Sequence, residues 1–239
     1  MSTLKPSNRE QKRALLATSS LALTVHLCLR NDKERENHMS KVLSLDIETD
    51  TSPLTEQEKA EGYTARGLDP HITEITSVAV AYDGHTAVFD DSSEQEILEA
   101  TQSVITMVNP SVLVTWNGSV FDLPFIDFRS RLHGVNTSLK LVHNPQIVPK
   151  YDPTPGYEGG YSATWGNAVH IDVAYLVKDE AERQGVKWSL KPYAQSIGLD
   201  PVEVDRTKMH DLTPAQLREY VASDAIVTLE IARRKLYLV

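Results

Sequence analysis

The stretch LSLDIETD, residues 43–50, sets the first limit on what this chain can fold into. Apolar and polar residues alternate through Leu43, Leu45 and Ile47, the period-two pattern of a strand with one face against a core. Side chains two positions apart on a strand share a face, at roughly 7 Å along the chain. Asp46 and Glu48 therefore point the same way at the end of the strand, while Leu45 and Ile47 turn to the core. Two ionised carboxylates on one face repel each other unless a cation lies between them. A solvated strand edge satisfies that condition. So does half of a metal site, and then the rest of the chain must supply more acids.

At 239 residues the chain can bury one sizeable core or two small ones. A single cysteine, Cys28, excludes an intramolecular disulfide and fits a reducing compartment, so a cytoplasmic setting, bacterial or phage-infected, is expected. The net charge of −9 argues against a nucleic-acid binder that works through a broad basic surface. It does not exclude a nucleic-acid enzyme, since bound divalent cations offset charge where a phosphate sits. No run of about 18 apolar residues is present to span a bilayer, and no membrane partner is expected.

Charge is uneven along the chain. Residues 1–38 carry seven Lys/Arg against four Asp/Glu, which leaves −12 on residues 39–239. The apolar run ALLATSSLALTVHLCL is broken by Thr, Ser and His and lacks a clear cleavage site, which argues against a signal peptide. Met39, in HMSKVLSLDIETD, is a natural start. Residues 1–38 are thus expected to be a non-native or upstream-translated extension, poorly ordered, and residues 39–239 a single domain.

Beyond the first strand (41–47), a polar loop with Pro and Gly covers 50–71, and a strand pair (72–82 and 85–89) closes on Asp83-Gly84, a favoured hairpin turn. A helix is expected over 92–108, a buried strand over 111–116, and a helix after the Asn117-Gly118 turn. A Pro/Gly/Tyr-rich excursion fills 135–168, then come a short strand (168–171), a helix from about Asp172 and a short helix over 189–199. Thr213, Pro214 and Gln216 mark the start of a last long helix. This order suggests a mixed α/β sheet with helices on both faces.

Further acids are available. Asp122 falls in the first turn of a helix, where acids are favoured in any case. Tyr220 and Asp224, in YVASD, are four apart and share a helical face. An all-carboxylate set suits hard cations such as Mg²⁺ or Mn²⁺, and two such ions can hold both the attacking and the leaving oxygen of a phosphoryl transfer. Taken in order, LDIET, WNGSVFDLPFI and YVASD resemble the three motifs of the DEDDy 3′–5′ exonucleases, of ribonuclease H-like fold, and NGSVFDLPFIDFRSRLHG looks most like the proofreading domains of family B DNA polymerases. The resemblance, from about Val42 onward, implies an α/β ribonuclease H-like mixed five-stranded sheet flanked by helices on both faces. It implies catalytic and metal-holding roles for Asp46, Glu48, Asp122 and Asp224, with Tyr220 orienting the attacking water. It further implies contacts of Thr49, Asn117 and Phe121 with the substrate, and a pair of divalent cations, Mg²⁺ or Mn²⁺.

The expected activity is removal of terminal nucleotides from single-stranded DNA 3′ ends, alone or with a DNA polymerase in trans. RNA trimming like that of RNase D is the enzymatic alternative, and a catalytically silent nucleic-acid-binding or polymerase-docking module is the alternative of another class. Asp172 reads first as a helix N-cap, and the eight histidines show no ligand spacing. Arg129 and Arg131 read as a solvated helix face. Tyr151, Tyr157, Tyr161 and Trp165 suggest an aromatic platform for a single strand. The extension reading is tested by mass spectrometry of the natively produced protein: the expected peptides begin at or after Met39, and peptides from residues 1–38 would overturn it.

Overall fold

The computed structural model describes residues 41–64, 66–90 and 92–236; the extension expected over 1–38 lies outside them. Seven strands form one sheet in the order β3-β2-β1-β4-β7-β6-β5. They are β1 (Val42–Thr49), β2 (Ile75–Tyr82), β3 (His85–Phe89), β4 (Val112–Thr115), β5 (Leu139–His143), β6 (Tyr161–Trp165) and β7 (Ala168–Asp172). The central strands β1, β4 and β7 are parallel, and the outer neighbours pair antiparallel. The helices are α1 (Glu56–Ala60), α2 (Glu94–Val108), α3 (Asp122–Leu132), α4 (Val173–Gln184), α5 (Leu190–Ser196) and α6 (Pro214–Lys235).

The mixed sheet agrees with the expected class, but it has seven strands where five were expected. The excess comes from the 135–168 excursion. Leu139–His143 and Tyr161–Trp165 pair with each other, and β6 then pairs with β7 and extends the sheet. The Pro- and Gly-rich linker between the two strands obscured their pattern, since β5 alternates only weakly between buried and exposed positions. The aromatic platform is corrected for the same reason. Trp165 is fully buried and donates its indole N–H to Gln102 Oε1 (2.8 Å). Tyr157 donates to Asp127 (2.6 Å) and stacks edge-on against Tyr161. Only Tyr151 of the four lies open, at 70% exposure.

Helices cover both faces of the sheet. Leu43, Leu45 and Ile47 of β1 pack with Ile97, Leu98 and Ile105 of α2 and with Leu123, Phe125 and Ile126 of α3. The opposite face, carrying Val42, Ala79 and Ala81, meets α4, α5 and α6 through Val177, Tyr193, Val221 and Ala225. Small residues on β2 let α6 approach the sheet closely. Local signals act as the sequence suggests: Ser93 and Thr213 form capping boxes with Glu96 and Gln216, Asn109 ends α2 in the left-handed conformation, and Asp172 caps α4.

Arg129 does not lie on a solvated face. It is 4% exposed and makes a two-pronged ion pair with Glu94 of α2, while its other donor reaches the Pro70 carbonyl (2.9 Å). Burial alone would raise the Glu94 carboxyl, but Arg129, the Ile75 N–H and His133 outweigh it and hold it below its usual range. A lowered carboxylate supports the fold above its unfolded value and loses that support as pH falls. Removing one partner of a buried pair strands the other, at about 3–5 kcal/mol. Arg129→Met is expected to destabilise the fold by that amount in urea titrations, and Glu94→Gln in the same chain to restore part of it.

Candidate active site

The three parallel strands place their carboxyl ends side by side, and the acids gather there. Asp46 and Glu48 leave β1 on the face covered by α4, α5 and α6. Asp224 arrives from α6, 4% exposed, with Tyr220 one turn earlier and 2% exposed. Asp122 enters from the other side of β1. Its Oδ1 accepts from the Ile47 N–H (3.3 Å), so the carboxylate is tied to the peptide between Asp46 and Glu48.

The turn that delivers Asp122 is tightly specified. Asn117 takes a left-handed conformation (φ 66°), and the Gly118 N–H donates to Thr115 Oγ1 (3.1 Å). A Cβ on Gly118 would stand 2.1 Å from that oxygen, so no side chain fits. Asp172, at the end of β7, accepts from the N–H groups of Asn117 (2.8 Å), Ser119 (2.9 Å) and Ala174 (3.1 Å). It is thus more than the N-cap its sequence suggests, because it also fixes the Asn117–Ser119 loop against the sheet.

Electrostatics confirm that the acids are neighbours. Asp46 keeps some contact with solvent, yet the surrounding protein raises its carboxyl well above the ordinary range. Burial contributes most, then the charges of Asp122, Asp224 and Glu48, while Lys191 offsets part. Asp122 is raised to about 7 by burial and by the charge of Asp172, and burial raises Asp172 to about 6. Among the described residues no three such side chains already form a closed cation cage. The donor set nonetheless fits a hard cation: all its ligand atoms are carboxylate oxygens, and their mutual repulsion is what a bound positive charge would relieve.

Lys191 belongs to the site although the sequence pattern does not flag it. This lysine, only 9% exposed, donates to Asp224 Oδ1 (2.9 Å) and to the Val202 carbonyl, and its ammonium lies 3.9 Å from the centre of the Tyr220 ring. Its one local signal is a place between Leu190 and Pro192 in the first turn of a short helix, where a solvated residue would be ordinary. The three expected substrate contacts sit less openly. Thr49 donates its hydroxyl to the Gly67 carbonyl (2.7 Å). Phe121 packs on the core and against Phe125, with ring centres 5.4 Å apart. Asn117 stays partly exposed at the turn. Among the histidines, His170 is a satisfied interior residue: its Nε2 pairs with Thr115 Oγ1 (2.8 Å), and burial pushes it down to about 3.

The fold has a solved counterpart. The family B DNA polymerase of the hyperthermophilic archaeon Pyrobaculum calidifontis aligns with 82% of this chain and 24% of its own, at a TM-score of 0.57 and 22% identity, and so shares the fold. The sequence model of the DNA polymerase family B exonuclease domain matches residues 4–192, a span that begins before Met39. The chain therefore belongs to the exonuclease-domain family of family B DNA polymerases, a family of 3′–5′ exonucleases. Among curated relatives, the catalytic subunit of DNA polymerase epsilon from Eremothecium gossypii is 28% identical over 208 residues, 78% of this chain. Its namesake from Saccharomyces cerevisiae is 30% identical over 151 residues, 62% of this chain. The matched part spans only 9% and 6% of those two relatives.

The raised carboxyls fix a pH dependence of stability. Native Asp122 holds a proton between about 4 and about 7 that the unfolded chain has lost. Its contribution is therefore fully present below about 4 and disappears as pH rises through about 7. In chelator, the melting temperature is expected to fall between about pH 5 and pH 8, and to fall less in Asp122→Asn, which should melt higher than the parent at the upper end. The difference is capped at about 4 kcal/mol, at 1.36 kcal/mol for each tenfold change in proton affinity. Calorimetry across that range would check both signs.

Proposed function

We propose that this chain is a metal-dependent 3′–5′ exonuclease that hydrolyses the terminal phosphodiester of single-stranded DNA. The observation that carries the reading is the placement of Asp46 within electrostatic reach of Asp122, Asp224 and Glu48 at one end of the parallel strands, in a chain of this family. DNA rather than RNA is favoured because the relatives are DNA polymerase subunits. A polymerase, supplied in trans, belongs to the same proposal.

Asp46, Glu48 and Asp224 would hold one divalent cation, and Asp46 with Asp122 a second, Mg²⁺ or Mn²⁺. When bound, such ions lower the pKa of water and neutralise charge on the transferring phosphoryl group. The protein's own part is positioning. Tyr220, fixed on α6 one turn before Asp224, orients the attacking water through its phenol. Lys191 clamps the Asp224 carboxylate and lies over the Tyr220 ring, so one ammonium sets the position of both. The Ile47 N–H and the loop fixed by Asp172 aim Asp122. Water adds to phosphorus, the bond to the 3′ oxygen of the preceding nucleotide breaks, and that oxygen leaves as the new 3′-hydroxyl of the shortened strand.

A 5′-labelled single-stranded DNA incubated with the full chain and Mg²⁺ or Mn²⁺ is expected to give a ladder that shortens one nucleotide at a time. Asp46→Asn should reduce it to background, and Tyr220→Phe should slow it by about 10²-fold, the scale for a reacting group left misplaced. Shortening of RNA alone would redirect the reading to an exoribonuclease. No cleavage of either polymer would leave the silent module.

A further inference from the structure

Along α4, which Asp172 caps, and its connection to α5 lies a cluster of aromatic rings and lysines that takes no part in holding the acids. Trp188 stands in the connection between α4 and α5, half-buried, and its indole donates to the Ala174 carbonyl (2.7 Å). Tyr175 of α4 meets it edge-on, with centroids 5.2 Å apart and planes at 83°. The Tyr175 hydroxyl donates to the Val148 carbonyl (3.1 Å), which draws the 148–151 segment onto the same place. Lys150 donates to the Trp188 carbonyl (3.0 Å), and its ammonium lies 5.3 Å from the centre of the Tyr151 ring. Lys178 reaches across Trp188, 4.7 Å from its ring centre.

Three segments thus converge, and the tip of the assembly is open: Tyr151 is 70% and Val148 64% exposed. A single exposed ring is ordinary on a surface, but here it stands with a second ring and two lysines drawn from three segments. Charge narrows the choice. Residues 39–239 carry a net −12, and yet two ammonium groups are held here against rings rather than against carboxylates. Lysines beside an open aromatic face suit a polyanion that also offers flat rings, which is the chemistry of a single nucleic-acid strand.

Position narrows it further. The cluster begins three residues after Asp172 on α4 and ends three residues before Lys191 on α5. Tyr175 lies in the first turn of the helix that Asp172 caps. From these placements we infer that Lys150, Tyr151, Lys178 and Trp188 form a track that holds the single strand upstream of the scissile bond, with Tyr151 stacking on a base and the two lysines contacting phosphates. The track rests on the exonuclease reading and extends it by naming the surface that grips the part of the substrate not being cut.

Fluorescence anisotropy tests it with the full chain and a labelled oligo-dT of about 16 nucleotides, in Ca²⁺ to suppress turnover. Lys150→Glu with Lys178→Glu is expected to weaken binding at least tenfold. The salt dependence should flatten by about 1.4, at about 0.7 for each lost contact to a single-strand phosphate. Tyr151→Ala should weaken binding about tenfold with the salt slope unchanged, because stacking releases no counterion. Hydrolysis of a dinucleotide, too short to reach the track, should proceed at the parent rate in all of them, and melting curves should match the parent. Unaltered affinity and slope in the lysine variant would overturn the track, as would a loss of dinucleotide hydrolysis equal to the loss on long strands. Failure of the exonuclease reading shows separately, as a parent chain that cleaves neither substrate.

Discussion

Everything at the working end of this molecule depends on holding like charges together. Asp46 lies within reach of three other carboxylates in surroundings that already penalise ionisation. Left to themselves, such groups separate or take up protons. The fold prevents separation by anchoring each acid to something rigid. Asp46 and Glu48 are part of a strand paired on both sides. Asp122 is tied by the Ile47 N–H, and Asp224 is clamped by Lys191. Burial first, and then the residual repulsion, raise the carboxyls, and together they are the thermodynamic reason a divalent cation would be welcome there.

The scaffold follows from that requirement. Three parallel strands end together, so the β1 acids, the loop after β4 and the end of β7 become neighbours although 126 residues separate Asp46 from Asp172. Rigidity comes from both faces of the sheet. The α2–α3 side is locked by the buried Glu94–Arg129 pair, and the α4–α6 side by close packing of α6 on the alanines of β2. The first stands clear of the acids; the second bears on them directly, since α6 carries Asp224 and Ala79 of β2 pairs with Asp46. Both keep the strands beneath them from shifting.

Much of this is legible in the residues alone. The alternation around Asp46 and Glu48 implies their shared face, the Asn117-Gly118 turn announces a sharp change of direction, and Thr213-Pro214 marks the start of α6 to the residue. These are local signals, each settled within a few residues. What could not be read depends on distant partners. Arg129 looks like a surface residue until Glu94, 35 positions earlier, is placed beside it. Lys191 looks ordinary until Asp224 and Tyr220 arrive from another helix. Tyr157 and Trp165 resemble a binding platform until Asp127 and Gln102 engage them.

The sequence by itself determined the carboxylate set, the element that carries each acid, and the alternation that commits Asp46 and Glu48 to one face. Those follow from covalent geometry and short-range periodicity, which need no partner. Only the tertiary structure decided that the sheet has seven strands, that Lys191 offsets the charge of the acids, and that lysines and rings from three segments meet around Trp188. Pairing of strands and of charges is a property of positions brought together across the chain, and no local pattern encodes the distance between them.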